Sequence, residues 1–215
     1  PIRCMCRGGY VRTHGPVGAT NDAIEGWQAQ ANLVADGTKN ASTPQMLSMA
    51  GFTGNEQQFV ARPRLVDVRF SAWDDILAEP EPAMDLLFLR SIWHYARGRA
   101  FEGKGDLAQA KDELAKLDTL RLSDETRAMK SVGRNSIDAV LEIASLTLNG
   151  EILSSEARYE EAIPRLTKDV ALEDSLIYTE PQDRFHPVGH PLGKAQRAVG
   201  AASAPATTCV TDRQK

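Results

Sequence analysis

Small residues recur at fixed intervals in one helical stretch, HYARGRAFEGKGDLAQAKDEL at residues 94–114. Gly98 and Gly105 flank Phe101, and Ala110 follows five residues after Gly105. Apolar positions on both sides of the Gly-Lys-Gly-Asp turn are three and four residues apart, which indicates two amphipathic helices. Small side chains let helices approach closely, an aromatic ring fills the gap and a glycine permits a tight turn. The stretch therefore predicts an antiparallel helical hairpin in which Gly98 and Ala110 are contact points.

A similar spacing returns twice downstream. Gly150 and Ala162 are separated by the same twelve residues as the first small pair, with Leu153 and Tyr159 between them. Leu192 and Gly193 begin a third occurrence, whose second helix would fall in a patternless tail. The sequence therefore predicts two hairpins and half of a third, in an irregular array.

Numbered so that Gly98 is position 8 of a 34-residue unit, this pattern resembles the tetratricopeptide repeat, W-x2-L-G-x2-Y followed by A-x3-F. His94 stands where that family has Trp, and Arg97 where it has Leu. Upstream, RFSAWDDIL resembles a degenerate unit, and the segment 171–193 is similar to a loop found in bacterial tetratricopeptide proteins. The resemblance covers about residues 59–200. It implies an all-α fold, an irregular solenoid of helical hairpins.

This interpretation divides the chain into three parts. Residues 1–58 are expected to hold one or two short helices and a loose terminus, 59–200 the repeat domain, and 201–215 an unstructured tail. Within the repeat domain, a helix pair at 59–70 and 72–79 is expected to turn near Ser71. Ser123 is predicted to start a helix, and Pro164 to kink or shorten the start of a helix beginning at Tyr159.

The bulk composition excludes few functions. The chain is 42% hydrophobic with a net charge of −4, so nothing in the overall balance favours nucleic acid as a partner. No apolar run reaches the roughly 18 residues of a membrane span. Three cysteines at the chain ends are not a disulfide framework, which makes a reducing, cytoplasmic location the default expectation. The chain begins at Pro1, and whether a targeting segment was removed before it is left open.

The family resemblance also implies where a ligand would bind. In tetratricopeptide proteins the first helix of each unit lines a concave groove that takes a peptide or partner protein. Transferred to this sequence, those positions give eight groove candidates, and the alternative is that they form a solvated helix face. The candidates are Tyr95, Arg99, Glu102, Thr147, Glu151, His190, Lys194 and Arg197.

A metal site is the alternative from a different functional class. His186 and His190 are four residues apart, the spacing that places two imidazoles on one helix face. Pro187 and Pro191 interrupt such a helix, and no third ligand lies nearby in the sequence. We therefore expect no metal and no cofactor, but an all-α metal protein or enzyme centred on these histidines stays open.

No catalytic motif stands out in the sequence. Adjacent acidic residues such as Asp74 and Asp75 point about 100° apart on a helix, so they do not form a catalytic pair by themselves. The expectation is a non-catalytic interaction scaffold, with a purely structural or storage protein as a further alternative. Because repeat units cannot bury their apolar faces alone, an incomplete third unit predicts one of two things. Either a C-terminal continuation has been lost, or another chain covers the apolar end, for example in a homodimer.

Overall fold

The computed structural model describes residues 54–129, 131–132, 134–177 and 188–199. Predictions that fall elsewhere lie outside the described residues. They include the helices expected within 1–53, the tail at 201–215, His186 and the three cysteines.

The described part of the chain is all-α, as predicted. Eight helices and one two-residue antiparallel ladder make up its regular structure, and Ser131 lies opposite Ser136 in that ladder. No helix in these ranges is both long and apolar enough to cross a membrane. In chain order the elements are α1 (Gly54–Phe70), α2 (Trp73–Ala78), α3 (Leu87–Lys104), α4 (Leu107–Arg121), α5 (Asp124–Ala128), β1 (Ser131–Val132), β2 (Asn135–Ser136), α6 (Ile137–Ser155), α7 (Tyr159–Ser175) and α8 (Gly189–Ala198).

The corner between α1 and α2 lies at Ser71, where it was expected. Ser71 adopts a left-handed backbone conformation with φ of 61°, and the Ala72 amide donates to the Asp67 carbonyl at 2.9 Å. An ion pair of 2.9 Å between Arg64 and Glu79 ties α1 to the end of α2. The first helix starts at Gly54, so it extends across the expected boundary between 58 and 59.

The predicted hairpin at 94–114 is formed by α3 and α4. Gly105 ends α3 with φ of 85°, and its amide donates to the Glu102 carbonyl at 2.9 Å. The next amide, of Asp106, donates to the Phe101 carbonyl, and the Asp106 side chain accepts from the Gln109 amide to cap α4. Gly105 therefore makes the turn that the sequence predicted.

The turn between α6 and α7 has the same hydrogen bonds, 52 residues later. Ala157 adopts φ of 58° and donates to the Ser154 carbonyl, while the Arg158 amide donates to the Leu153 carbonyl at 2.9 Å. Alanine therefore occupies the left-handed position that glycine holds in the first hairpin. The start of α7 is not shortened by Pro164, since the helix begins at Tyr159 and continues through the proline. Ser123 caps α5, as expected, by accepting from the Thr126 amide.

Helix α6 takes part in each of the three apolar clusters of the described residues. Thirteen of its 19 residues are buried. Its start packs with α1 and α3 through Leu141, its middle packs with α3 and α4 through Leu148, and Leu153 packs with α7 and α8. The other long helices are therefore arranged around α6.

The small residues of the repeat pattern allow two different close approaches. A Cβ atom on Gly150 would lie 2.4 Å from Leu166 of α7, its own hairpin partner. A Cβ atom on Gly98 would lie 2.5 Å from Leu148 of α6, so the nearest atoms to Gly98 belong to the next hairpin rather than to Ala110. Ala110 and Ala162 are both fully buried. The glycine at 98 thus serves packing between hairpins, and the one at 150 serves packing within a hairpin.

Two side-chain amides make long-range backbone contacts that no local pattern indicates. Gln57 of α1 is buried and accepts from the Leu89 amide at 3.1 Å, which satisfies a free N–H in the first turn of α3. Asn135 donates to the Ile177 carbonyl at 3.0 Å and accepts from the Ile177 amide at 2.8 Å. These contacts hold the start of α3 and the end of α7 in place.

Replacing Gly150 by alanine tests the close approach of α6 and α7. The added methyl would overlap Leu166, and forced repacking of a full core costs about 1–3 kcal/mol. Gly193→Ala in α8 is the matched control, because no atom of the described residues lies within 4 Å of its Cβ position and alanine favours a helix by roughly 0.5–1 kcal/mol. Urea unfolding should show a loss of stability for Gly150→Ala and a gain for Gly193→Ala; equal changes would contradict the packing argument.

Ala157→Gly should stabilise the protein. Ala157 is exposed in the turn after α6 and has a positive φ, a conformation that costs a residue with a Cβ about 1–2 kcal/mol. Part of this gain in stability is lost, because glycine has greater conformational freedom than alanine in the unfolded chain. Thermal unfolding should show a small rise in Tm, and a fall would argue against the left-handed turn.

Candidate functional site

An open cleft of about 770 Å³ lies where the end of α3 meets α6 and α8. Its wall also includes the corner residue Ser71 and the turn into α4. Charged and hydroxyl groups predominate among the lining side chains. The lining residues are Ser71, Arg99, Glu102, Gly103, Lys104, Gly105, Leu107, Glu151, Ser155 and Lys194.

Arg99 forms the floor of this cleft. Its guanidinium contacts Glu102 at 2.8 Å and Glu151 at 3.4 Å, and the arginine side chain is only 14% exposed. Burial acts to lower the pKa of Arg99, but the negative charges of Glu151 and then Glu102 outweigh it and raise that pKa. The guanidinium therefore stays charged between two carboxylates, one on its own helix and one on α6.

Further contacts fix the two carboxylates. The Ser155 hydroxyl donates to Glu102 at 2.6 Å, across from α6 to α3. Lys194 of α8 lies 4.0 Å from Glu151, and its side chain is 67% exposed. Lys104 at the rim pairs with the exposed Asp74 at 2.5 Å. One guanidinium and two carboxylates give the floor a net charge of −1, which Lys194 offsets from the edge, and both edge lysines are exposed to solvent.

The structure brings four of the eight predicted groove residues into the cleft: Arg99, Glu102, Glu151 and Lys194. The other four lie elsewhere. Tyr95 is 1% exposed in the core, and burial raises its pKa. Thr147 is buried as well and bonds to Asp169 at 2.6 Å.

His190 and Arg197 are the remaining two candidates. His190 is half-buried in the first turn of α8, and Arg197 is exposed in its last turn; neither lines the cleft. Tyr95 and Thr147 therefore contribute to packing instead of to a ligand-facing surface, because the helix faces that carry them are covered by neighbouring helices.

The groove positions of the repeat template did not include several lining residues. Ser155 lies one helical turn after Glu151, and this i,i+4 spacing would have found it. Gly103 also lines the cleft. The indole of Trp73 packs so closely against Gly103 that a Cβ atom there would lie only 2.6 Å from the ring. Only the tertiary fold indicates that α2 covers this end of α3.

A buried ion cluster joins α3 to α4, away from the cleft. Glu113 contacts His94 at 2.6 Å, Arg97 at 3.3 Å and Lys116 at 3.5 Å. Burial would raise the pKa of Glu113, but the hydrogen bond from His94 and the nearby cations lower it. Arg97 also stacks over Trp93 at 4.6 Å. These contacts explain the two departures from the repeat pattern, since His94 and Arg97 bind a carboxylate where apolar residues were expected.

A second buried polar group lies under α7. Asp169 is fully buried, and its Oδ2 atom contacts the Thr147 hydroxyl. Burial raises the pKa of Asp169 to about 8. The hydrogen bond from Thr147 acts to lower this pKa, whereas the charges of Glu173 and Glu142 act to raise it. The carboxyl group is therefore protonated over most of the physiological range.

The histidine metal site stays a prediction. His186 lies outside the described residues, so its distance from His190 is not given by the structure. Among the residues that the structure does describe, no three His, Cys, Asp or Glu side chains are grouped closely enough to hold a metal ion.

Comparisons with known proteins assign no relative. No family model matches the chain, and neither the curated proteins nor the solved structures include a match.

Arg99→Met tests whether the cleft floor depends on this one cation. The change takes the guanidinium away from Glu102 and Glu151 and leaves them the Ser155 hydroxyl and Lys194 at 4.0 Å. Removing one partner of a buried ion pair in this way costs about 3–5 kcal/mol. The triple variant Arg99→Met, Glu102→Gln, Glu151→Gln removes the stranded charges and should recover much of the loss. Urea unfolding measures both; a loss below about 1 kcal/mol for the single variant would contradict the role of the floor.

Proposed function

We propose that this chain is a non-catalytic scaffold that binds a protein or peptide segment in the cleft, and that it is built from tetratricopeptide-like helical hairpins. One observation carries the proposal. Four residues that the repeat template selected line one cleft, although they come from three separate helices. They are Arg99, Glu102, Glu151 and Lys194. The first helix of each of three units would supply them: α3, α6 and α8.

The equivalence of the two hairpins supports the repeat interpretation. Gly105 and Ala157 have similar positive φ values and the same turn hydrogen bonds. They are separated by 52 residues, the distance that also separates Gly98 from Gly150. The two turns thus correspond in structure, whereas Gly98 and Gly150 correspond in sequence spacing alone, since Gly98 packs against the next hairpin and Gly150 within its own. A stack of such units is the arrangement from which an α-solenoid is built.

The side chains of the cleft are already held in place by hydrogen bonds and ion pairs, which favours binding without rearrangement. Arg99 is held by carboxylates on two helices, and Ser155 holds Glu102 from the opposite side. Groups that are already ordered lose little conformational freedom when a ligand arrives. An extended peptide could bond to the lysines and to backbone groups near Gly103, while Leu107 offers apolar contact. The ligand, rather than the receptor, would become ordered on binding.

A random-peptide phage library panned over the immobilised protein tests the proposal. Enriched peptides would be synthesised with a fluorescent label and titrated by polarisation against the wild-type protein and two cleft variants, Lys104→Glu and Lys194→Glu. Reversing an exposed charge at an interface changes affinity by about tenfold when the ligand contacts it. We expect weaker binding by both variants.

Lys168→Glu is the matched control, because this exposed lysine lies on α7 and not in the cleft. Its affinity should equal that of the wild type within about twofold. Peptides that lose affinity equally for all three variants would show nonspecific charge binding. No enriched peptide, or peptides insensitive to the cleft variants, would overturn the proposal.

A further inference from the structure

Helix α8 is held against α7 and α6 by a small apolar contact. Val188, Leu192 and Ala195 are buried against Leu153 and Leu166. The helix is only ten residues long, so this contact alone gives it few anchors. The polar contacts at its start therefore contribute strongly to whether it stays docked.

Glu173 of α7 makes such a contact. Its Oε2 atom accepts from the Val188 amide at 3.1 Å, in a buried position. Val188 is the N-cap residue of α8 and has no side-chain cap. A carboxylate here satisfies one of the free N–H groups and interacts favourably with the positive end of the helix dipole. The ionised form of Glu173 is thus the form that binds α8 best.

Asp169 lies one turn earlier on the same face of α7. It is fully buried, and its Oδ1 atom has no hydrogen-bond partner among the residues that the structure describes. Its other oxygen contacts the Thr147 hydroxyl. An ionised carboxylate in this place would be an unpaired, buried charge beside Glu173, which is strongly unfavourable.

Among the described residues, the charges that act most on Asp169 are negative. Glu173 on α7 and Glu142 on α6 both act against its ionisation, and Tyr95 on α3 is near enough to interact with it. On α8, Lys194 interacts with Glu151 in the cleft, while His190 is half-buried in the first turn. No cation of the described residues forms an ion pair with Asp169. One proton held by the pair therefore removes the repulsion between its two carboxyl groups.

We propose that Asp169 and Glu173 form a pH-sensitive latch on α8, which docks the helix while the pair holds a proton and loosens it when both carboxyl groups are ionised. The proton resides on Asp169, and Glu173 accepts from the Val188 amide. Loss of that proton places a second negative charge next to Glu173, and moving α8 away lets water reach both groups. Since α8 carries Lys194, loosening it also removes one edge of the cleft. The latch itself does not depend on a cleft ligand.

Hydrogen exchange measured by mass spectrometry on the whole, unliganded protein tests the latch. Exchange into residues 188–199 would be followed from pH 5 to pH 9 and corrected for the intrinsic pH dependence of amide exchange. The docked state binds one proton more than the loosened state between the ordinary aspartate pKa and the raised value of about 8. Protection of α8 should therefore fall by up to about tenfold per pH unit as pH rises towards 8, and then level off.

Asp169→Asn should remove this dependence, because the amide cannot ionise. Protection of α8 in that variant should stay flat across the range and exceed the wild-type value at pH 8. Glu173→Gln can still accept from Val188 but no longer repels an ionised Asp169, so its loss of protection should level off at a lower pH. Asp174→Asn, an exposed neighbour on α7, is the matched control and should follow the wild type.

The peptide covering α4, residues 107–121, separates local from global opening. It should keep its protection while α8 loses protection. Equal loss in α4 and α8 would mean that the proton is linked to global unfolding and would overturn the latch. A wild-type pH profile in both Asp169→Asn and Glu173→Gln would overturn it as well.

Discussion

The burial of one helix on several sides determines the rest of this structure. Helix α6 packs against α1 and α3 at its start, α3 and α4 in the middle, and α7 and α8 towards its end. A helix covered on several faces can expose little polar surface, and polar residues on it therefore need partners inside the protein. Ser145, Thr147 and Glu151 of α6 each bond to a side chain of another helix. These pairings set the positions of α4, α7 and α3 relative to α6.

The buried charges of the cleft floor, the Glu113 cluster and the Asp169 site fall into two classes. Arg99 and Glu113 are surrounded by groups of opposite charge, and their ion pairs join neighbouring helices. Such networks contribute specificity of arrangement more than net stability, since desolvation offsets most of the attraction. Asp169 belongs to the second class, because no cation within the described ranges pairs with it and it lies beside further carboxylates. The same low polarity that strengthens an ion pair raises the free energy of an unpaired ion. Of these groups, Asp169 is therefore the one whose pKa lies near neutral pH.

The cleft and the latch meet at α8. Its buried face packs in the third apolar cluster, the amide of its N-cap residue Val188 donates to Glu173, and its Lys194 reaches the cleft. A short helix with few contacts is the element most easily moved in a helical protein. In the proposed scaffold, the wall of the cleft that α8 provides is therefore adjustable, whereas the floor at Arg99 is rigid.

Much of the secondary structure could be predicted from sequence, because the signals are local. Apolar spacing, Gly105 and Ser123 indicated helices and turns that the structure contains, and the all-α class followed from them. Half of the groove candidates reached the cleft, while Tyr95 and Thr147 became buried. A helical pattern distinguishes faces, but it does not state which neighbour covers each face. The partners of Gly98, Gln57 and Glu173 come from remote segments, and only the packing of whole helices around α6 decided them.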